Sequence, residues 1–185
     1  MKISPSTSKT TLYKPLRILQ GTLKGHVLPP HDAWVRPATS YRREMIFNRL
    51  RHSEAFHDFH DLSSHRVLDV FAGTGTLGFE ALSRGAAHVT FVEEDPLTYK
   101  KLKVFIAKHR LQEKARVLLC DATTLPQNTA FPFSLCFLDA PYGKDLIPPT
   151  INCLKSHGWL EKNALCIAET DYKEALPLPQ WAHIT

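Results

Sequence analysis

The chain has 185 residues, 43% hydrophobic and 22% charged, enough apolar content to bury one sizeable core and too much for a largely disordered chain. No run of about 18 uncharged apolar residues occurs, and Met1–Thr11 is rich in Ser, Thr and Lys without the apolar run of a secretory signal, so a soluble, cytoplasmic protein is expected and a membrane partner is not. The formal net charge of +5 is one-sided: residues 1–51 carry ten Lys/Arg against two Asp/Glu, a net of +8, and the remainder carries −3. Basicity concentrated at one end of a chain is the footprint of an arm that meets phosphates, so a nucleic-acid partner is expected there.

In chain order, residues 1–15 read as a disordered tail. Leu16–Leu28 holds two short apolar runs around Gly21 and Gly25, a pattern for a β-hairpin bearing Arg17 and Lys24. Past Pro29 and Pro30, Thr39-Ser40 can cap a helix from about Tyr41 to Phe56 whose Met45, Ile46, Arg49 and Leu50 divide into an apolar and a basic face. Strands and helices then alternate: strand Arg66–Phe71, helix Thr76–Ser83 closed by Gly85, strand His88–Glu93, a helix from Pro96 to about His109, strands near Arg116–Cys120 and Phe133–Asp139, a helix near Ile147–His157, and a strand near Ala164–Glu169. Such alternation predicts an α/β, Rossmann-like, mostly parallel sheet with flanking helices, whose ligands lie at the carboxyl ends of the strands. The expected organisation is therefore a tail (1–15), a basic hairpin-and-helix extension suited to a nucleic acid (16–62), and an α/β domain (63–185).

Cys120, Cys136, Cys153 and Cys166 stand 16, 17 and 13 residues apart, which is no zinc spacing and reads as reduced, buried thiols. His57 and His60 read as a solvated helix end, and the cluster Lys100, Lys101, Lys103 and Lys108 as a solvent face; no metal is expected.

The chemistry concentrates after two strands. The first runs into Asp69-Val70-Phe71-Ala72-Gly73-Thr74-Gly75-Thr76-Leu77-Gly78, a G-x-G-x-x-G between strand and helix, and the second ends in Glu93-Glu94-Asp95, placed for ribose hydroxyls; together they indicate an adenosine-type cofactor. Asp69, just before the glycines, is unhelpful beside a pyrophosphate and suits a cationic amino acid or sulfonium, which argues against a dinucleotide. The fourth strand ends in Asp139-Ala140-Pro141-Tyr142, an acid, a rigid turn and an aromatic over the same crevice. An exocyclic amine on a nucleobase is a poor nucleophile until its hydrogens are held; the Asp139 carboxylate and the Ala140 carbonyl can hold them while Tyr142 stacks on the base.

These residues resemble the class I S-adenosylmethionine-dependent methyltransferases, and within them the RsmD-type enzymes that methylate a guanine N2 of bacterial small-subunit ribosomal RNA. The resemblance runs from about Leu16 to Trp181 and includes Arg17-Ile18-Leu19-Gln20-Gly21, Arg36-Pro37, Arg43-Glu44 with Phe47-Asn48, Leu82-Ser83-Arg84-Gly85-Ala86, Phe91-Val92-Glu93 and Gly158-Trp159-Leu160. It implies S-adenosyl-L-methionine as cofactor, held by the loop of Asp69, Gly73, Thr74, Gly75 and Gly78, with Glu93 on the ribose and Asp121 and Ala122 at the adenine. Asp139, Ala140, Pro141 and Tyr142 become the catalytic turn, and Arg17, Lys24, Arg36, Arg42 and Arg43 the RNA contacts. The implied acceptor is 16S ribosomal RNA, free or within an assembling subunit, and the implied enzyme is a monomer.

Three positions depart from the family pattern. Ala140 stands where a proline is usual, Ala38-Thr39-Ser40-Tyr41 where Thr, an acid and Arg are usual, and the chain ends at Thr185 near the family's sixth strand, so an incomplete closing strand pair is expected. The alternatives are an amino-methyltransferase acting on adenine or cytosine of DNA, a non-catalytic RNA- or cofactor-binding relic and, less favoured, a dehydrogenase.

Overall fold

A computed structural model describes residues 15–30 and 40–170. Its centre is a five-stranded sheet in the order β3-β2-β1-β4-β5, formed by β1 (Arg66–Val70), β2 (His88–Glu93), β3 (Ala115–Leu119), β4 (Phe133–Leu138) and β5 (Leu160–Ala168), with every pairing parallel. Parallel strands need crossovers, and these are α2 (Thr76–Ser83), α3 (Pro96–Lys108) and α4 (Ile147–Ser156), with α1 (Ser40–His52) preceding the sheet. The strands read as near-continuous apolar runs because both faces are covered: Val67, Phe91 and Phe137 pack with Phe79 and Phe105 on one side, and Leu68, Val92 and Leu138 with Ile151, Leu154 and Trp159 on the other.

Local chemistry explains the helix boundaries. Asp95 caps α3 by accepting the Thr98 N–H at 2.7 Å, with Pro96 supplying a helical φ and no orphaned donor. The glycine of α2's entry, Gly75, sits at φ +73, a left-handed conformation that turns the chain sharply out of the strand.

Four expectations need correction. The segment around Gly21 and Gly25 forms one antiparallel bridge, Arg17 to Val27, and not an extended hairpin. The first helix stops at His52: Ser53 is extended (φ −85, ψ 126) and Glu54–Phe59 winds more tightly as a 3-10 segment. The last strand starts at Leu160, which pairs with Phe133, and the register then shifts so that Leu135 meets Leu165, with the polar stretch Glu161-Lys162-Asn163 falling in the irregularity between the two pairs. Finally, Arg43 does not face solvent with the basic residues of its helix. It is fully buried with Phe47 and Leu50, while Met45 is 53% exposed.

Ile18, Leu28, Phe47 and Leu50 belong to the same core cluster as the sheet, so the basic segment is packed onto the α/β body. Its anchor is Glu80 of α2, whose carboxylate accepts the backbone N–H groups of Leu19 (2.8 Å) and Gln20 (3.0 Å) and pairs with Arg84 at 2.8 Å and Arg43 at 3.7 Å. Gly21 lies so close that a Cβ there would fall 1.7 Å from the Ser83 carbonyl oxygen.

Candidate active site

The strand order reverses at β1, which has β2 on one side and β4 on the other, and a crevice opens at the carboxyl ends there. Register sets what meets in it. Val70 pairs with Val92 and Leu138, and Leu138 with Ala168, so the chain leaves β1, β4 and β5 at one level. The glycine loop and the turn beginning at Asp139 therefore start on neighbouring strands, about 4.8 Å apart.

The glycine loop is tied down from below and open above. Asp69, 2% exposed, accepts the Gly78 N–H at 2.8 Å, and the Gly73 N–H donates to Glu93 at 2.8 Å. Burial drives the Asp69 carboxyl well above the ordinary carboxylate range; the Gly78 bond opposes this, and Asp139 and Glu93 add to it. Asp69 thus lies beneath the loop and does not line its open side. Gly78 is likewise turned away from the crevice: a Cβ would meet Phe91 Cε1 at 2.3 Å, so this glycine serves close helix–strand packing. Gly73 is different. At φ +52 its side-chain direction meets nothing nearer than the Phe71 carbonyl at 3.9 Å, leaving room for a ligand against the backbone. Thr74 is buried at 5% exposure.

Glu93 holds the loop and the start of the next segment together, one oxygen on Gly73 and the other on the Asp95 N–H at 2.8 Å. Asp121, exposed beyond β3, uses Oδ1 for both the Thr123 N–H and hydroxyl, each at 2.8 Å, with Ala122 buried beside it.

Across the crevice, burial raises the Asp139 carboxyl above its ordinary value while the Arg42 guanidinium pulls it back. Ala140 is buried, and Pro141 and Tyr142 are exposed. Arg42 of α1 donates to the Tyr142 hydroxyl at 3.2 Å, and both Arg42 and the Tyr142 O–H engage the carboxylate of Glu169. Glu169 is placed by its own N–H, which donates to the Leu138 carbonyl at 3.0 Å, one residue before Asp139. No sequence motif marked Glu169; its only signal is an acid directly after the last apolar strand.

Of the cations expected at RNA, Arg42 stands at the mouth of the crevice, and Arg17 and Lys24 are exposed, with Arg17 donating to the Gly25 carbonyl at 2.7 Å. Arg43 is corrected: with 0% side-chain exposure and a bond to the Arg17 carbonyl at 2.9 Å, it braces the basic segment from inside. Arg36 lies outside the described residues.

The family described as conserved hypothetical protein 95 matches residues 16–185. The chain is 34% identical over 163 residues to ribosomal RNA small subunit methyltransferase D of Escherichia coli (strain K12), covering 88% of this chain and 78% of that one. To the protein of the same name from Haemophilus influenzae it is 34% identical over 170 residues, covering 89% and 83%. The solved structure of Escherichia coli yhhF superposes with a TM-score of 0.76 at 33% identity, covering 90% of this chain and 87% of that one.

Proposed function

From the premise that the chain belongs to the conserved hypothetical protein 95 family, that of the RsmD-type methyltransferases, we propose that it transfers a methyl group from S-adenosyl-L-methionine to the exocyclic N2 of a guanine in 16S small-subunit ribosomal RNA. One observation carries this reading: the glycine loop and the Asp139–Tyr142 turn leave adjacent, register-paired strands, so a cofactor on one and an amine on the other would meet.

The residues present fit the cofactor. Gly73 leaves the backbone bare where a Cβ would otherwise stand, Glu93 keeps acceptor lone pairs beyond its two backbone bonds, and Asp121 commits only Oδ1 to its local turn. When bound, S-adenosylmethionine supplies an electrophilic methyl group on a sulfonium.

The chain's own residues do the rest. Asp139 and the Ala140 carbonyl accept the two N2 hydrogens, turning the nitrogen lone pair out of conjugation and toward the methyl group. Tyr142 supplies a face for the base once it has left its stack, and a base so held reacts by direct displacement with orientation as the main contribution. Arg17, Lys24 and Arg42, all exposed, hold RNA phosphates; Arg42 does so next to the turn. The domain reading follows: residues 16–62 serve RNA and 63–185 carry the chemistry, the two packed as one body through Glu80.

The test is transfer of labelled methyl from S-adenosylmethionine to unmodified 16S RNA and to assembled small subunits, followed by nucleoside analysis. N2-methylguanosine is expected, with Asp139→Ala abolishing turnover while S-adenosylhomocysteine still binds. Label in any other nucleoside, or near wild-type transfer by Asp139→Ala, refutes the assignment.

A further inference from the structure

The opposite end of the sheet carries its own cluster. Arg66 opens β1 and pairs in register with His88, which opens β2; Arg116 of β3 pairs with Thr90, two residues along from His88. Side chains on a strand alternate with period two, so Arg66, His88, Thr90 and Arg116 share one face, at the amino ends of the strands. Arg116 Nε donates to the Thr90 hydroxyl at 3.0 Å. The Arg66 guanidinium lies over Phe133 at 5.5 Å and over Phe131 at 5.3 Å, and Phe131 is 70% exposed.

The cluster lacks a counter-charge. Arg66 Nε and His88 Nδ1 are buried and make no hydrogen bond, and none of the ion pairs among the described residues involves Arg66 or Arg116. Burial, then Arg66 and Arg116, lower His88 to about 4, so the imidazole is neutral at physiological pH and its neighbours' charge is unopposed. Burial and Arg66 lower Arg116 as well. The orphaned nitrogens themselves are closed off from solvent, but the Arg66 and Arg116 side chains are only half-buried, and an arriving anion would meet the outer ends of the two guanidinium groups.

We propose that Arg66, His88 and Arg116, with Phe131 beside them, form a second RNA site that takes a backbone phosphate and stacks a neighbouring unpaired base. The exposed aromatic selects this occupant over an acidic peptide or free phosphate, since neither has a base to lay on the Phe131 ring. The site lies roughly 15 Å from the crevice, the length of a five-residue strand, so it grips RNA away from the target base. This inference rests on the reading that the acceptor is an RNA.

The experiment titrates the full-length, isotope-labelled protein with a uridine dodecamer, which offers no guanine to methylate, and separately with inorganic phosphate and an oligoglutamate. The dodecamer is expected to shift the His88 ring and Arg116 Nε–H resonances. Because Arg66 packs on the buried Phe133, the variants are Phe131→Ala and Arg116→Ala, each checked by circular dichroism. Phe131→Ala should weaken dodecamer binding about fivefold or more, and Arg116→Ala should lower the salt slope by roughly 0.7.

Unmoved His88 and Arg116 resonances overturn the proposal. So does an equal response to inorganic phosphate with no effect of Phe131→Ala, or tighter binding of oligoglutamate. Methyl transfer by the wild type is measured in parallel. Its absence alongside an intact dodecamer response faults the acceptor reading and leaves this site standing, while transfer without that response faults this site alone.

Discussion

Glu80 is the point at which removing one side chain should separate the basic segment from the catalytic body. Its carboxylate is fully buried and accepts two backbone N–H groups from the segment, while compensating the buried guanidinium of Arg43. Glu80→Ala removes the two backbone hydrogen bonds and the Arg84 pair, and leaves Arg43 without its nearest counter-charge, a loss of about 3–5 kcal/mol by analogy with other broken buried pairs. Against a total stability of roughly 5–15 kcal/mol this is large, and at about 2–4 °C per kcal/mol it corresponds to a Tm lowered by roughly 6–20 °C. Urea unfolding followed by tryptophan fluorescence measures the loss, and limited proteolysis reads the release of residues 15–30. The companion variant Glu80→Ala with Arg43→Met should recover about 1 kcal/mol or more, because the fully buried charge of Arg43 is then gone and only the less buried Arg84 has lost its partner. A Glu80→Ala protein within about 1 kcal/mol of wild type, or a double variant less stable than the single one, refutes the anchoring argument.

Three further outcomes follow from buried positions. Gly78→Ala pushes a methyl to within 2.3 Å of the Phe91 ring; overpacking of about 1–3 kcal/mol, partly offset by about 1 kcal/mol of helix propensity, should give net destabilisation in urea, and a more stable variant would contradict the packing role. His88 is held neutral to about pH 4 in the fold but binds a proton near 6.5 when unfolded, so its contribution is full above 6.5 and is lost as pH falls toward 4; His88→Gln should flatten that part of the stability curve, and an unchanged slope would count against its burial. Asp69 has the opposite sign: its folded value is raised, so wild-type stability falls as pH rises above 3.8 through that value, and Asp69→Asn should gain on wild type as pH rises above 3.8, a pH-independent difference being the contrary result.

What the sequence made legible was whatever punctuation and periodicity encode. Glycines and apolar runs bracket α2 and β2 so closely that the expected bounds, Thr76–Ser83 and His88–Glu93, are the observed ones. The glycine loop and the Asp139 turn could be assigned to one crevice because parallel topology puts all strand ends on the same side. Partner choice was not legible. Arg43 and Glu80 are 37 positions apart and look like ordinary surface charges; only the packing of α1 against α2 buries both. Helical periodicity places Arg43 in line with Phe47 and Leu50, a signal outweighed by the expectation that arginine faces water. Glu169 escaped because its position depends on the register of β5, which began four residues earlier than its apolar content indicated.

The charge count of residues 52–185, a net of −3, concealed a division that the sheet makes plain. Glu93, Asp139 and Glu169 stand at the carboxyl ends of the strands, with Asp69 buried beneath the glycine loop, whereas Arg66 and Arg116 stand at the amino ends. Acid at a crevice favours a cationic cofactor and repels phosphate, so on the proposed reading the RNA backbone is held by the cations at and beyond the rim and an uncharged base enters. In the structure Arg17, Lys24 and Arg42 are exposed, and Arg66 and Arg116 stand half-buried at the far end of the sheet. On the proposed reading, binding energy gathered at those places orients the base, while Asp139, with the Arg42 guanidinium beside it, accepts the amine hydrogens. On this logic the acid-lined crevice and the basic surfaces are parts of one arrangement, and strengthening RNA affinity by adding cations beside Asp139 would draw its carboxylate into ion pairs and slow the reaction it serves.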